Sequence, residues 1–452
     1  MLRTKRCDNQ QTTRALVAYE YREKLNSEEE GELVNRALIA LAAVLAALAV
    51  SIPGAFGRTL EAAGPTATPG VTSSTITIGG TFPLSGPASL YAPIPRGMEA
   101  YFKWVNTRKG PDGKIGIRGR KIVWKYYDDG YNPAQTVQMT NKLILEDKVF
   151  ADVGSLGTEH NQAIRPLLND RKIPQILVAT GASIWGLQHK QFPWTIGWQP
   201  DYIAEGRSYG IWITKNAPNA KIAIFYQNDD YGKDYLRGVK IGLGAKKSLI
   251  VSEQSYEVTD TSYASQLARQ KASGADTWVL LTIPTPTVRA LATAKALNWK
   301  PNTIVINSVA AIDVIMKAAA ASAGAAYVNG AISSGYLKNN VNPKYANDPI
   351  VTRYKSLLAT YGPSGADPNN TFYFYGFAKA YDVVKLLYNA GKNPTRASLI
   401  KATQSMNWVN PYMIKGIKVK TSKSDFFPIS QLKLVRYENG TFNEFGSLIK
   451  GR

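Results

Sequence analysis

The sequence predicts an α/β protein with two doubly wound parallel-sheet lobes. Apolar strand patterns alternate with amphipathic helix patterns over residues 74–198, and strands separated by helices form parallel sheets that are covered on both faces. The same alternation starts again after Gln199-Pro200. The stretch 58–452 is also too long for one small core, so two domains are expected.

The first lobe is predicted to open with a strand at Thr75–Ile78, where polar and apolar residues alternate with a period of two. The turn Pro83–Pro87 follows, because its Pro, Ser and Gly residues favour turns. Asn132-Pro133 predicts a helix start, since Asn suits the N-cap and Pro the first helical position. Further strands are predicted at 121–127, 149–154 and 173–179, and further helices at 94–108 and 159–170.

The second lobe is predicted to begin with a buried strand at Lys221–Tyr226 and a helix over about 231–245. The chain is predicted to end in a hairpin around Asn439-Gly440, because this dipeptide favours the tight turn between antiparallel strands. Between these elements, strands are predicted at 249–252, 277–282, 303–307 and 329–336, and helices at 262–273 and 286–297.

The chain is expected to cross between the two lobes several times. The restart of the pattern after Pro200 and the extra elements beyond Asn329 place crossings near 196–202, near 328–334 and in about the last thirty residues. The predicted domains are lobe 1 over 74–198 with 333–424, and lobe 2 over 199–332 with 425–452.

The N-terminal region carries the pattern of a secretory signal. Arg36 precedes the apolar run Ala37–Val50, and Pro53-Gly54 is followed by a small-x-small cleavage site at 55–57. A membrane-spanning helix needs about 20 apolar residues, and this run is shorter. We therefore expect an extracytoplasmic protein. The predicted boundaries are an N-terminal extension plus signal peptide over 1–57 and a linker over 58–73.

Composition argues against several classes of function. The single cysteine, Cys7, lies in the predicted leader, so disulfides and thiol chemistry are not expected. His160 and His189 are the two histidines, and hydrolase and nucleotide-binding motifs do not occur. We predict no cofactor and no metal site. The net charge of +21 is dispersed, which favours a solvated basic exterior over nucleic-acid binding.

A secreted hydrolase that uses paired carboxylates is an alternative. The candidate pairs are Asp128-Asp129 and Asp229-Asp230. Adjacent side chains point to different sides of the chain, and Asp next to a turn commonly accepts backbone N–H bonds. We therefore predict turn and cap roles for these residues, and a binding protein rather than an enzyme.

Five loop motifs follow the predicted strands in order, and their order and spacing carry a family resemblance. They are Gly80–Pro87, Tyr126–Pro133, Gly154–Thr158, Ala179–Ser183 and Asn228–Gly232. Over roughly 74–450 the chain resembles the leucine/isoleucine/valine-binding family of type I periplasmic binding proteins, which deliver solutes to ABC transporters. The resemblance implies a hinged two-lobe fold with a ligand cleft between the lobes. It also implies a monomer with ABC permease and ATPase subunits as partners. A ligand-sensing receptor of the same fold that feeds a regulator is an alternative.

The resemblance also assigns binding residues. A hydroxyl group beside free backbone amides near a helix start is a good anion site, although Ser, Thr and Gly also favour ordinary turns. By resemblance, Ser85 and Tyr91 line the first loop, while Thr158 and Ser183, with the amides around Gly181 and Ala182, hold a carboxylate, and Tyr231 closes from the second lobe.

One departure from the family affects the expected ligand. Amino-acid-binding members carry an acid just past the strand at 303–307, where it pairs with the ligand ammonium. Here Val309 stands in that region, and the first acid is Asp313. We therefore expect a carboxylate with an apolar or aromatic body, or an amide. Trp198 and Tyr202 are predicted to offer stacking surface, with a buried core position as an equal alternative for Trp198. His160 is predicted to occupy a surface position on its helix.

The signal-peptide interpretation predicts a mature N-terminus close to Arg58, because the small-x-small site ends at Gly57. N-terminal sequencing of protein from the native host measures this directly. A mature chain that retains residues 37–50 would contradict the interpretation and favour a membrane anchor.

Overall fold

A computed structural model describes residues 68–451 of the chain. The predicted N-terminal extension and signal peptide, and most of the linker, lie outside this range. Within it, none of the helices has the length and apolar character that crossing a bilayer requires. Strands and helices alternate along the sequence as predicted, and they form two α/β lobes.

The regular elements are numbered here in chain order. The strands are β1 Thr75–Phe82, β2 Lys121–Asp128, β3 Asp152–Val153, β4 Gln175–Val178, β5 Thr195–Gly197, β6 Ile222–Gln227, β7 Ile250–Tyr256, β8 Thr277–Leu281, β9 Thr303–Ile306, β10 Ile332–Gly335, β11 Asn407–Trp408, β12 Val419–Lys420, β13 Gln431–Glu438 and β14 Thr441–Lys450. The helices are α1 Pro93–Val105, α2 Pro133–Leu145, α3 Thr158–Asp170, α4 Ile184–Leu187, α5 Tyr202–Asn216, α6 Asp230–Leu243, α7 Ala264–Ala272, α8 Pro284–Ala296, α9 Asp313–Ala323, α10 Ala325–Val328, α11 Pro349–Tyr361, α12 Thr371–Asn389 and α13 Arg396–Thr403.

Lobe 1 is built on a five-stranded sheet with the order β2-β1-β3-β4-β5. Its neighbouring strands are parallel, and β1 pairs with β2 from Thr75 opposite Lys121 to Phe82 opposite Asp128. Ile76, Ile78 and Phe82 are fully buried, because helices cover both faces of a parallel sheet. The doubly wound lobe predicted from the sequence is confirmed.

Lobe 2 is built on a seven-stranded sheet with the order β14-β13-β10-β9-β8-β6-β7. Strands β6 to β10 run parallel, whereas β13 pairs antiparallel with both β10 and β14. The predicted hairpin is confirmed, and Asn439 and Gly440 at its turn both have positive φ, as the tight hairpin turn requires. The hairpin therefore extends a parallel sheet at one edge.

The chain passes between the lobes three times. The first crossing joins β5 to α5 through residues 198–201, where it was predicted. The second comes after β10, because β10 pairs with β9 and β13 in the second sheet. Residues 333–335 therefore belong to lobe 2 and not, as the sequence suggested, to lobe 1. The third crossing runs from β12 to β13, which begins at Gln431.

Side-chain caps fix where the helices around the lobe interface begin. Asn132 accepts hydrogen bonds from the N–H groups of Ala134 and Gln135 at the start of α2, as predicted. Asp201 caps α5, and Asp229 caps α6 by accepting from the Gly232 N–H at 3.0 Å. The cap satisfies an N–H group that a helix leaves unpaired. Asp229 thus has the capping role predicted for it.

Helices α5 and α6 lie in backbone contact. A Cβ atom placed on Gly206 would lie 2.4 Å from the carbonyl oxygen of Tyr235, and one on Gly238 would lie 2.3 Å from that of Ile203. Such approach is open only to glycine, since a side chain would clash with backbone. It fixes the N-terminal half of α5 against the middle of α6.

We predict that Gly206→Ala destabilises the protein by about 1–3 kcal/mol, because the added methyl group must push α5 and α6 apart. Urea unfolding of the ligand-free protein measures this. Gly335→Ala is the control, since its Cβ would meet the Val435 side chain at an ordinary 3.7 Å. Equal stability of the Gly206 variant and the wild type would show that the helices are further apart in solution.

Candidate ligand-binding site

A cavity of about 140 Å³ lies between the two lobes. Lobe 1 contributes the residues that follow β3 and β4, and lobe 2 those that follow β8, β9 and β10. The carboxyl ends of parallel strands are where open α/β sheets bind their ligands. Much of the wall is aromatic, and six tyrosines line it: Tyr91, Tyr131, Tyr202, Tyr231, Tyr336 and Tyr375.

The structure brings half of the predicted binding residues to this cavity. Those that line it are Tyr91, Thr158, Tyr202, Tyr231 and Val309. The others lie outside the lining, namely Ser85, Gly181, Ala182, Ser183 and Trp198. Local motifs therefore predicted which loops reach the cavity better than which of their side chains line it.

The lobe 1 wall contains a helix start with free hydrogen-bond donors. Gly157 precedes α3 with a φ of 106° and gives it no side-chain cap, so first-turn N–H groups remain for another acceptor. Thr158 is buried, and its hydroxyl lies 2.6 Å from that of Thr180. The N-terminal end of a helix dipole favours negative charge. This wall can therefore hold an anionic group.

Ser183 has a partner other than the one predicted. Its backbone N–H and its hydroxyl donate to the two carboxylate oxygens of Asp234, at 2.7 and 3.2 Å. Asp234 lies on α6 of lobe 2, so the predicted carboxylate site is filled by a carboxylate from the opposite lobe. Gly181 and Ala182 pack in the same turn, where Gly181 directly contacts Pro200 and Tyr202.

Ser85 does not line the cavity, contrary to its predicted binding role. It is exposed, and its N–H donates to Asp128 Oδ1 at 3.1 Å. The same oxygen accepts from the N–H groups of Leu84 and Gly130. Asp128 therefore fastens the turn after β1 to the turn after β2, as expected of a turn residue, and Ser85 belongs to that turn instead of the cavity.

Trp198 is fully buried and is not a stacking surface for a ligand. Its indole N–H donates to Asp382 at 2.7 Å, and the ammonium of Lys379 lies 4.8 Å from its ring. The next residue, Gln199, does line the cavity. Its side chain donates to the Tyr202 hydroxyl at 3.0 Å and accepts from the Tyr375 hydroxyl at 2.9 Å. The first crossing is thus held by polar groups from both lobes.

The lobe 2 wall rests on a carboxylate that sequence reasoning missed. Glu205 accepts from the Ser308 N–H at 2.7 Å, from the Ser308 hydroxyl at 2.8 Å and from the Tyr209 hydroxyl at 2.6 Å. Burial raises the pKa of Glu205, while these hydrogen bonds oppose the rise. Glu205 comes four residues after Asp201, where a glutamate in the first turn of a helix is common. The sequence therefore gives no sign that it bonds the cavity wall.

The charged residues of the cavity wall are all paired. Asp313 accepts from the Thr441 hydroxyl and the Phe442 N–H. Lys338 bonds Asp348 at 2.7 Å, and Glu444 bonds Lys344 at 2.9 Å. Among residues 68–451 there is also no group of His, Cys, Asp and Glu side chains that could hold a metal ion. Each charged side chain of the lining is therefore already bonded, Lys338 and Glu444 in ion pairs and Asp313 by neutral donors.

His160 is buried, contrary to the predicted surface position. Its ring lies 4.2 Å from that of Tyr131, which lines the cavity. Burial lowers the pKa of His160 to about 4, because desolvation disfavours the charged imidazolium. The residue is therefore neutral at pH 7 and supports Tyr131 by packing.

Comparison with known proteins gives a consistent result. A family model described as "Periplasmic binding protein" matches residues 75–441. The leucine-specific-binding protein of Salmonella typhimurium is 23% identical over 194 residues, which cover 43% of this chain and 50% of that protein. The chain spans about half the length of the curated relatives it matches.

Two solved structures illustrate the structural likeness. A branched chain amino acid ABC transporter protein from Thermus thermophilus with bound valine gives a TM-score of 0.69 at 19% identity, covering 83% of this chain and 96% of that one. A solute binding protein of an ABC transporter from Rhodopseudomonas palustris, in complex with p-hydroxybenzoic acid, gives 0.68 at 20% identity, covering 84% and 98%. At these identities the likeness shows the fold.

We predict that Asp234→Ala shifts the ligand-free protein toward more open lobes, because it removes two hydrogen bonds to a carboxylate worth about 1–3 kcal/mol together. The radius of gyration from small-angle scattering measures the shift. Glu253→Ala is the control, since Glu253 pairs with Lys240 inside lobe 2. An unchanged radius in the Asp234 variant would show that this contact does not hold the lobes together.

Proposed function

Because the chain belongs to the periplasmic binding protein family, of the Leu/Ile/Val-binding type, we propose that it captures a small organic solute between its two lobes outside the cytoplasm and delivers it to an ABC importer. The observation that carries the proposal is the cavity between the lobes, which is lined from both of them. A solute held there contacts both lobes at once, so it stabilises the closed form that a permease recognises. The proposed partners are permease and ATPase subunits.

The proposed solute is a carboxylate without an α-amino group, or an amide. The uncapped start of α3 supplies N–H donors for the acceptor group, and the Thr158 hydroxyl, which shares a hydrogen bond with that of Thr180, lies at the same helix start. An ammonium would find no carboxylate without a protein partner, since Asp313 already accepts hydrogen bonds, Glu444 is ion-paired and Glu205 is covered. An unpaired buried charge costs several kcal/mol. This disfavours the amino acids that the named relatives bind.

The body of the solute is proposed to be apolar or aromatic and about one ring in size. Tyrosines line much of the cavity, together with Ile94, Leu156 and Phe372. An apolar cavity of about 150 Å³ accommodates benzene, and this one measures about 140 Å³. The structural relative with bound p-hydroxybenzoic acid supports a solute of this class.

We predict that Thr158→Val weakens carboxylate binding by about 1–3 kcal/mol, because it removes the hydroxyl from the hydrogen-bonding groups at the start of α3 while keeping the side-chain volume. A thermal-shift screen of aromatic acids, aliphatic carboxylates, amides and amino acids first finds the tightest solute. Calorimetry then compares the variant with the wild type. Thr158→Ser is the control, since it keeps the hydroxyl. Equal carboxylate affinity in all three proteins would contradict the assigned role.

We predict that Val309→Glu shifts preference toward free amino acids, because it places a carboxylate at the cavity wall where an ammonium would lie. Calorimetry with leucine, phenylalanine and their deaminated analogues measures the ratio in both proteins. If the wild type binds the amino acids tightly and the analogues weakly, the proposed solute class is wrong and another residue pairs with the ammonium.

A further inference from the structure

A buried carboxylate lies directly behind the lobe 2 wall of the cavity and takes no part in the proposed function so far. Glu205 is 1% exposed and does not line the cavity. Ser308 and Ser334 do line it. Both are joined to Glu205, the first by direct hydrogen bonds and the second through the hydroxyl of Tyr209. The charge is thus one layer away from a bound solute.

Glu205 is the acceptor in all of its hydrogen bonds to Ser308 and Tyr209. Protein donors meet both oxygens of Glu205, so we assign it as the carboxylate, which only accepts, and the hydroxyls of Ser308 and Tyr209 both donate to it. A hydroxyl has a single hydrogen, and Tyr209 has used its own. The contact of 3.0 Å between Tyr209 and Ser334 must therefore be donated by Ser334. Each of the two cavity-lining serines therefore donates its only hydroxyl hydrogen to a protein group, Ser308 to Glu205 and Ser334 to Tyr209, and has none left for the solute.

The two walls of the cavity consequently differ in whether they donate or accept hydrogen bonds. Ser308 and Ser334 belong to the lobe 2 wall, and with their hydrogens used their hydroxyl oxygens can only accept. Within residues 68–451, no hydrogen bond is donated to Ser308 Oγ, and the Ser334 hydroxyl bonds only Tyr209. The lobe 1 wall presents the donors at the start of α3. A solute that satisfies both walls is an acceptor at one end and a donor at the other.

We propose that the solute carries a hydroxyl or N–H donor at the end opposite its carboxylate, and that Ser308 and Ser334 recognise this donor. Glu205 is the positioning residue, because it fixes which way both serine hydroxyls point. This inference rests on the proposed function and narrows the substrate class within it. A chain of hydrogen bonds that ends on a charged group is stronger than one between neutral groups.

The geometry distinguishes this role from direct binding of an ammonium. Both oxygens of Glu205 are already bonded by protein donors, and Ser308 covers them from the cavity side. A solute therefore meets serine oxygens and not the carboxylate itself. A neutral donor satisfies such oxygens, whereas an ammonium would remain without a counter-charge.

The test uses calorimetry of the wild-type protein with benzoate, with 3- and 4-hydroxybenzoate, and with the matching methoxybenzoates. The methoxy compounds keep the oxygen but have no hydrogen to donate. The better placed hydroxybenzoate should bind about tenfold more tightly than benzoate, as one hydrogen bond to a polarised acceptor provides. Its methoxy partner should bind no better than benzoate.

Variants then test the assigned residues. In Glu205→Gln the side-chain amide donates to one neighbour, which frees a serine hydrogen to point into the cavity. The advantage of the hydroxybenzoate over benzoate should fall from about tenfold to threefold or less. Ser308→Ala and Ser334→Ala leave Glu205 in place and should reduce the same advantage, which keeps the test valid if Glu205→Gln folds poorly. Ser208→Ala is the control, since Ser208 bonds only the backbone of Glu205 and does not line the cavity.

The outcomes separate this inference from the proposed function. If benzoates bind but the hydroxy and methoxy compounds bind equally, the inference is overturned and the proposed function stands. If no carboxylate binds to the wild type, the inference is overturned, and if no solute of the thermal-shift screen binds, the proposed function is overturned with it. A hydroxyl advantage that persists in the two serine variants and in a folded Glu205→Gln would overturn the assignment of these residues.

Discussion

Parallel strands cannot be joined by tight turns, and this constraint organises the molecule. Each return to the same edge of a sheet needs a helix that crosses one face. The helices bury both faces and leave the loops at the carboxyl ends of the strands as the variable edge. Here two such edges face each other, and the three crossings keep them opposed. The cavity occupies the space that remains between the two sets of loops.

Local patterns were sufficient to predict most of the elements, because caps and strand alternation are properties of short segments. Asn132, Asp229 and the Asn439-Gly440 turn behave as their sequence neighbourhoods predict. The assignment of β10 failed because its antiparallel partner, β13, lies almost one hundred residues further along the chain. Pairing across such a distance is decided by how the sheet assembles, and a single sequence carries no local trace of it.

The site was predictable at the level of loops and not at the level of side chains. Thr158 and Ser183 look alike in sequence, since each follows a strand and precedes a helix. The two differ in the folded protein, because α6 packs against lobe 1 and Asp234 on α6 accepts the hydrogen bonds of the Ser183 N–H and hydroxyl. The role of Glu205 could not be predicted from the sequence for a related reason, because its hydrogen-bond partner Ser308 is distant in the chain. Trp198 and Tyr202 are both buried aromatic residues next to the first crossing, and only the structure shows that Tyr202 lines the cavity while Trp198 does not.

The contact between Ser183 and Asp234 joins the lobes without touching the cavity. Its energy is consequently the same whichever solute is bound. A contact of this kind sets how often the empty protein is already closed, and the apparent affinity of every ligand scales with that fraction. Discrimination among ligands is unaffected, because the common factor cancels in any ratio of affinities. The protein therefore keeps sensitivity and selectivity in separate residues, so that evolution, or an engineer building a biosensor, can retune the detection threshold without altering what is detected.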